Sequence, residues 1–106
     1  MTTRATRVLE DQAITAASST TAVIDLRPYA GAAVVVPTGS GLTSLEVFAA
    51  AKSDDTMFEL YDADGSGITL TVAQSGVYEL PYAVFAAPFI ALKGNTAGTI
   101  DVIAKS

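Results

Sequence analysis

Short runs in which apolar and polar residues alternate recur along this chain, and they constrain its fold more than any other feature. The clearest is the segment 68–72, Ile-Thr-Leu-Thr-Val, and similar runs occupy residues 21–27, 43–50 and 99–104. An alternation with a period of two places the apolar side chains on one face of a β-strand. Gly, Pro, Asn, Asp and Ser separate the runs, and these residues favour turns. The pattern therefore indicates a β-protein.

The spacing of these runs predicts an antiparallel β-sandwich. About eight runs follow one another at intervals of roughly 8–12 residues, which is typical of sandwiches and barrels. A jelly roll has this number of strands, although the pattern leaves the connections between strands open. We expect one all-β, jelly-roll-like domain over residues 20–106, with a helical turn or an irregular link at 82–87.

Two pairs of runs are predicted to form hairpins. Residues 57–61 and 68–72 flank the turn-forming sequence Asp-Ala-Asp-Gly-Ser-Gly. Residues 89–93 and 99–104 flank the segment Gly-Asn-Thr-Ala-Gly. Loops of this length and composition commonly join antiparallel neighbours. The run 30–36 is continuously apolar, which predicts a strand that is covered on both faces.

Residues 1–19 are interpreted as an N-terminal arm. Val8 and Leu9 fit either one face of a helix or a short strand, so both structures stay open. The first nine residues contain Arg4 and Arg7 and no acid, whereas the rest of the chain holds four basic and eleven acidic residues. A basic segment before an acidic body is compatible with an arm that docks on an acidic partner, and also with a frayed terminus.

The chain offers few residues for catalysis. It contains no His, Cys or Trp, and only 16% of its residues are charged. Without His, nucleophilic catalysis lacks its usual general base, and without Cys there are no disulfides or thiolate metal sites. Two adjacent carboxylate pairs, Glu10 with Asp11 and Asp54 with Asp55, lie in polar segments that are expected to be solvated. We expect no enzymatic activity and no cofactor.

Charge and hydropathy indicate the class of partner. The net charge of −5 argues against nucleic acid, whose phosphates bind basic surfaces. No apolar stretch approaches the roughly 20 residues of a membrane-spanning helix, and the N-terminus lacks the apolar segment of a secretory signal. The mean hydropathy of +0.42 is nevertheless high. It predicts a surface that is covered in an assembly, such as a homo-oligomer or a larger structure.

One segment could bind a cation weakly. Asp62, Asp64 and Ser66 match the first ligand positions of an EF-hand calcium loop. The match then ends, because Ala73 takes the place of the bidentate Glu and a strand follows where a helix should stand. A β-turn accounts for the same residues. We therefore predict no metal site and keep these three residues as weak candidates.

Aromatic residues are the main candidates for a protein interface. Phe48 shares a predicted strand face with Ser44 and Glu46, so its ring is the first candidate for an exposed anchor. Phe58, Phe85 and Phe89 are predicted to lie in the core. The predicted interface set is Arg4, Arg7, Val8, Leu9, Tyr29, Phe48, Tyr61 and Tyr82.

Three groups of segments carry a family resemblance. They are residues 24–29 with 33–37, residues 45–48 through 58–65, and residues 78–81 with 83–85, 89–93 and 100–102. This pattern of strand and turn residues covers most of residues 20–106. It resembles that of small all-β structural proteins of tailed bacteriophages, of the kind that decorate or cement the capsid.

The resemblance implies a sandwich that binds the major capsid protein on the outside of a viral shell, often as a trimer. N-terminal arms of such proteins commonly add to the capsid β-structure. We expect a non-enzymatic virion protein on the capsid surface, made in the host cytoplasm, that stabilises the shell by spanning neighbouring subunits. Two alternatives stay open: a tail, fibre or baseplate module of the virion, and a carbohydrate-binding β-sandwich.

Overall fold

The alternating runs fold into β-strands that form two antiparallel sheets. The computed structural model describes residues 6–17, 19–52 and 54–105. The described residues contain nine strands and one 3-10 helix. The strands are β1 (Thr6–Ile14), β2 (Ile24–Asp25), β3 (Gly31–Val36), β4 (Ser44–Ala50), β5 (Phe58–Glu59), β6 (Thr69–Thr71), β7 (Gly76–Glu79), β8 (Phe89–Gly94) and β9 (Gly98–Lys105). The 3-10 helix spans Tyr82–Ala86, where the sequence predicted a helical turn or a link.

The strand order is that of a jelly roll. The first sheet has the order β1-β9-β3-β7, and the second has β2-β8-β4 with both β5 and β6 along the remaining edge of β4. The chain crosses from one sheet to the other at every connection except those between β4, β5 and β6. This connectivity wraps two sheets around one core. The predicted all-β, jelly-roll-like antiparallel sandwich is confirmed.

The core lies between the sheets and is built from alternate residues of the strands. Val34 and Val102 are register partners in the first sheet, and Val47 and Ile90 project from the second; all four are fully buried. Burying one such side chain stabilises the fold by about 1.5–3 kcal/mol. The period of two in the sequence thus corresponds to the inward faces of the two sheets. Among the described residues, no helix is long and apolar enough to cross a membrane.

Residues 6–14 of the predicted arm form the edge strand of the first sheet. β1 pairs with β9 from Thr6 opposite Lys105 to Ile14 opposite Gly98. Of the two conformations that the sequence left open, the structure has the strand, because Leu9 then packs against the core and Ile14 is buried in it. Residues 6–14 of the predicted arm therefore belong to the sandwich, and residues 1–5 of it lie outside the described part of the chain.

The predicted hairpin of residues 89–93 and 99–104 is wrong. β8 pairs with β2 and β4, whereas β9 pairs with β1 and β3, so the loop between them joins the two sheets. The side chain of Leu42 lies between the two strands. A Cβ atom added at Gly94 or at Gly98 would come within 2.9 Å of it. The side chain of Leu42 thus lies where the two strands would have to approach each other to pair as a hairpin.

The other predicted hairpin forms only around its turn. The N–H of Ile68 donates to the carbonyl of Leu60 at 3.2 Å, and Tyr61 forms a bridge with Gly67. Beyond the turn, the strands β5 and β6 separate and pair end to end with β4. Both strands therefore pair with the edge of β4, and they do not extend their pairing with each other into a longer hairpin.

Candidate interaction surfaces

The outward side chains of the first sheet form an apolar patch. On β3 these side chains are Ala33 and Val35, and the register places Ile103 beside Ala33 and Val77 beside Val35. On the edge strand, Val8 lies beside Ile103. Val8 is 50% exposed and Val77 is 63% exposed, although the solvent face of an antiparallel sheet is usually polar. We call these five residues the sheet patch.

Charged residues border the sheet patch. Lys105 follows Ile103 by two residues on β9, and Glu79 lies beside Ala33 on β7. Both are exposed. Within the described part of the chain, neither of them takes part in an ion pair. Asp101 on β9 lies beside Val35 on the same face, so the surface around the patch carries more acidic than basic residues.

The outward face of the second sheet is covered by its own charged residues. The guanidinium carbon of Arg27 lies 4.8 Å from the centre of the Phe89 ring, which is buried as predicted but points outward. Asp25 accepts hydrogen bonds from Nη2 of Arg27 at 2.7 Å and from its Nε at 3.0 Å. Hydrogen bonds from the side chain and backbone of Arg27 lower the pKa of Asp25 to about 2, and Asp25 raises the pKa of Arg27.

Phe48, the first predicted anchor, lies under a cation on the same face. Nζ of Lys93 is 5.2 Å from the centre of its ring and 4.0 Å from a carboxylate oxygen of Glu46. A cation over an aromatic face contributes about 0.5–1 kcal/mol at an exposed site. Phe48 is therefore half-buried and already partnered, so the second sheet presents a more polar face than the first.

The 3-10 helix closes one end of the sandwich and carries its most exposed aromatic residue. Pro81 precedes the helix, and its carbonyl accepts the N–H of Val84 at 3.0 Å. Val84 is fully buried, whereas Tyr82 is 89% exposed. One buried side chain thus fixes a helical turn that projects a tyrosine into solvent.

Apolar depressions surround this helix. One of 380 Å³ lies between Tyr29, Tyr82 and Phe85. A second, of 700 Å³, lies beyond Ala86 and is lined by Phe58 and several alanines. A groove of 370 Å³ joins Tyr82 and Phe85 to the sheet patch. We call the surface around the two larger depressions, formed by Tyr29, Phe58, Tyr82, Phe85 and their small neighbours, the apolar end.

The prediction that Phe58 lies in the core is wrong. Phe58 is 71% exposed. It belongs to a strand of two residues and pairs with Ala49 near the end of β4, where the sandwich leaves it uncovered. The consequence is a second exposed aromatic ring at the apolar end.

The structure separates the predicted interface residues into several places. Tyr29 and Tyr82 meet at the apolar end, and Val8 belongs to the sheet patch. Tyr61 is exposed at the turn after β5, and Leu9 faces the core. Of the two arginines in the predicted set, Arg7 is exposed on β1. Arg4 lies outside the described residues.

The two surfaces also contain residues that sequence reasoning did not select. They are Ala33, Val35, Val77, Ile103, Phe58 and Phe85. A signal for two of them was present, because the continuous apolar run 30–36 predicted a strand covered on both faces. In the isolated chain one face of that strand is fully buried and the other is half-buried. The half-buried face, with Ala33 and Val35, is the centre of the sheet patch.

The weak cation candidates form a turn. One carboxylate oxygen of Asp62 accepts the backbone N–H groups of Asp64 at 2.9 Å and Ser66 at 3.0 Å. Gly65 has a φ of +79°, which suits glycine. In the described ranges, no group of three or more His, Cys, Asp or Glu residues could hold a metal ion. The carboxylate of Asp62 therefore has a role in the turn itself.

Comparisons with known proteins show a likeness of fold. No family model matches the chain, and no curated protein matches it. Among solved structures, it is similar to the crystal structure of the SPBc2 prophage-derived protein YomS, with a TM-score of 0.66 and 11% sequence identity. The alignment covers 100% of this chain and 97% of that one. The two proteins share the whole sandwich.

Proposed function

We propose that this chain is a non-enzymatic structural protein of a phage virion, which binds the outer surface of the capsid and stabilises the shell. The observation that carries the proposal is the apolar end, where Tyr82 and Phe58 are both largely exposed beside apolar depressions. The fold shared with a prophage-derived protein supports the phage origin. The resemblance of the sequence to capsid decoration proteins supports the location on the shell.

The apolar end has the composition of a docking surface. Aromatic side chains are enriched in protein interfaces, and one ring can bury about 150–250 Å². At about 25 cal/mol per Å², that area corresponds to roughly 4–6 kcal/mol before the costs of association. The alanines around Tyr82 and Phe58 leave space for side chains of the partner.

The charged residues beside the apolar end indicate which charge the contacted surface of the shell should carry. Asp55 and Glu59 line the depression that contains Phe58. Because acidic groups repel acidic surfaces, we expect the contacted patch of the shell to be apolar with basic residues at its border. Tyr82 lies at the start of the 3-10 helix, and Phe58 lines the depression beyond its end. This separation suits contact with two neighbouring shell subunits. Binding that spans subunits stabilises the assembled shell by mass action.

Co-sedimentation with undecorated shells of the phage that encodes the chain tests this function. We expect the protein to pellet with shells, and the double variant Tyr82→Ala with Phe58→Ala to lose at least about tenfold in affinity, the effect of about 1.4 kcal/mol. Tyr61→Ala is the matched control, because Tyr61 is also an exposed aromatic residue but lines neither depression of the apolar end. Its affinity should stay within about twofold, a change of less than about 0.5 kcal/mol.

Two results would overturn the assignment to the capsid. The first is a protein that stays in the supernatant with intact, undecorated shells. The second is a protein that pellets with purified tails and not with shells, which would favour a tail, fibre or baseplate module instead.

A further inference from the structure

We infer that β7 accepts an extended, basic segment of a partner protein, which adds to the first sheet as a further strand. β7 is an edge strand of that sheet and pairs with β3 on one side. Strand addition uses backbone hydrogen bonds for affinity and alternate side chains for specificity. β7 lines neither depression of the apolar end, so the inference is independent of the proposed binding to shells.

The backbone of β7 directs part of its hydrogen-bonding groups away from β3. The N–H of Leu80 donates to the carbonyl of Ala32 at 2.9 Å, which continues the register that places Glu79 opposite Ala33. In an antiparallel ladder, bonded pairs alternate with pairs that exchange no hydrogen bond. Val77 and Glu79 therefore direct their N–H and C=O groups to the free edge. That edge offers two donors and two acceptors to an extended segment.

The edge of β7 is regular, whereas the opposite edge of the same sheet is not. β7 pairs with β3 over four residue pairs without a register shift. β1, at the other edge, shifts its register on β9 between Leu9 and Gln12. A bulge of this kind hinders the addition of another strand. β7 is therefore the edge of the first sheet at which a further strand pairs most easily.

The charge on this side of the sandwich determines the chemistry of the added segment. β5 and β6 lie along the edge of the second sheet, and only four residues, 72–75, link β6 to β7, so these three strands lie on one side. They belong to the segment 53–92, which contains six acidic residues and no Lys or Arg. Because opposite charges favour an interface and like charges suppress it, we expect a basic partner.

The side chains of β7 indicate where the basic residue lies. Val77 is 63% exposed. Glu79 is exposed and forms no ion pair with the described residues. The register also places Asp101 and Lys105 on this face, but both belong to β9, two strands away from β7. We therefore expect an apolar residue opposite Val77 and a Lys or Arg opposite Glu79.

Glu79 also disfavours a second copy of β7 as the occupant. A two-fold pairing that uses the free groups of both residues places Val77 opposite the partner's Glu79. The two Glu79 side chains then lie on a diagonal, about 7–8 Å apart, and the sequence of β7, Gly-Val-Tyr-Glu, holds no base to offset their repulsion. Charged side chains commonly prevent edge strands from pairing with themselves. β7 therefore favours a basic segment over another copy of itself.

NMR titration of the purified chain with the capped peptide Thr-Lys-Thr-Val-Thr tests the inference. We expect saturable shifts of the amide signals of Val77 and Glu79, with a dissociation constant in the millimolar range because the pairing is short, roughly 1 mM. The peptide Thr-Glu-Thr-Val-Thr should bind at least about threefold more weakly, because it places a like charge opposite Glu79. Glu79→Lys should reverse this preference. Asp64→Lys is the control, because it makes the same change of charge in the turn after β5 and should leave the preference in place.

A proline variant tests the backbone contribution. Val77→Pro removes an N–H that faces the free edge, a position at which edge strands tolerate proline. We expect it to weaken binding of the lysine peptide about fivefold, the effect of one lost hydrogen bond. Val8→Pro is the control, because Val8 is also an exposed valine but lies on the opposite edge of the sheet, and it should bind as the parent chain does.

The charge exchange at Glu79 changes an exposed side chain only, so it decides the question where the proline variant does not fold. Equal binding of the two peptides, shifts that spare Val77 and Glu79, or unchanged binding by folded Val77→Pro would overturn the inference. So would an Asp64→Lys variant that loses the preference as Glu79→Lys does. A dimer of the parent chain in sedimentation equilibrium that Val77→Pro disrupts would assign the edge to a second copy instead.

Discussion

The carboxylate of Asp101 accepts the backbone N–H of Asp11 at 2.9 Å, across the point where the register of β1 on β9 shifts. Asp11 has a φ of +52°, a conformation that aspartate tolerates better than most residues. A β-bulge interrupts the ladder of backbone hydrogen bonds, and here a side chain replaces the missing acceptor. Bulges on edge strands also hinder further strand pairing. Asp101 thus stabilises an irregularity that protects the free edge of β1.

Replacement of Asp101 should therefore weaken the edge strand. We expect Asp101→Ala to lower the free energy of unfolding by about 1 kcal/mol, because an exposed N–H loses its protein acceptor. Asp101→Asn keeps an acceptor oxygen at the same place and should retain most of that stability. Urea unfolding measures both variants. Equal stability of the two would show that the hydrogen bond contributes nothing.

The sequence predicted the sheets well because the alternation of residues encodes which side chains face the core. Leu45 and Val47 in the run 43–50 are both fully buried, as the pattern indicates. The alternation does not encode which strand lies beside which. β8 and β9 lie in different sheets, and the side chain of Leu42 fills the space beside Gly94 and Gly98 at the loop between them. That contact joins residues far apart in the chain, so local patterns cannot reveal it.

The candidate surfaces were predictable only in part, for a similar reason. An aromatic residue on a strand is buried or exposed according to what covers it. Phe89 is covered by Arg27, and Phe58 lies at an uncovered end of the sandwich, although both were expected in the core. Tyr82 was selected only as one of several aromatic residues, and it is exposed because Val84 is the residue of the 3-10 helix that is buried.

The titration of Asp25 provides a test of the covered face. Its pKa in the folded chain is about 2, below the ordinary value of 3.8, chiefly because of hydrogen bonds from Arg27. A lowered pKa stabilises the fold above the ordinary value, and this contribution is lost as the pH falls from 3.8 towards 2. NMR titration of the side-chain carboxyl should show a midpoint near 2 in the parent chain.

Removal of the arginine should return that midpoint towards 3.8. We expect this shift in Arg27→Ala, together with greater solvent exposure of Phe89, which Arg27 covers. Arg7→Ala is the control, because Arg7 makes the smallest contribution to lowering the pKa of Asp25. A midpoint near 3.8 in the parent chain would contradict the ion pair.

The turn at Asp62 gives a prediction about cations. Because one oxygen of Asp62 already accepts two backbone N–H groups, Asp62→Ala should destabilise the fold by about 1–2 kcal/mol. Asp64→Ala, the control, removes an exposed side chain and should change stability by less than about 0.5 kcal/mol. Millimolar Ca²⁺ should leave the melting temperature of the parent chain unchanged. A rise in the melting temperature that Asp62→Ala abolishes would instead establish a cation site.

Val84 connects the core to the exposed tyrosine, and its truncation should affect both. Val84 is the buried residue of the 3-10 helix, so Val84→Ala removes two core methyl groups at about 0.8 kcal/mol each and leaves a small cavity. We expect a loss of about 2–3 kcal/mol in the free energy of unfolding, and weaker binding to shells because the helix no longer holds Tyr82 firmly. Tyr82→Ala should weaken binding as well but change stability by less than about 0.5 kcal/mol. If Val84→Ala bound shells as tightly as the parent chain while still folded, the position of the 3-10 helix would not matter for docking, and the contact would have to lie elsewhere on the sandwich.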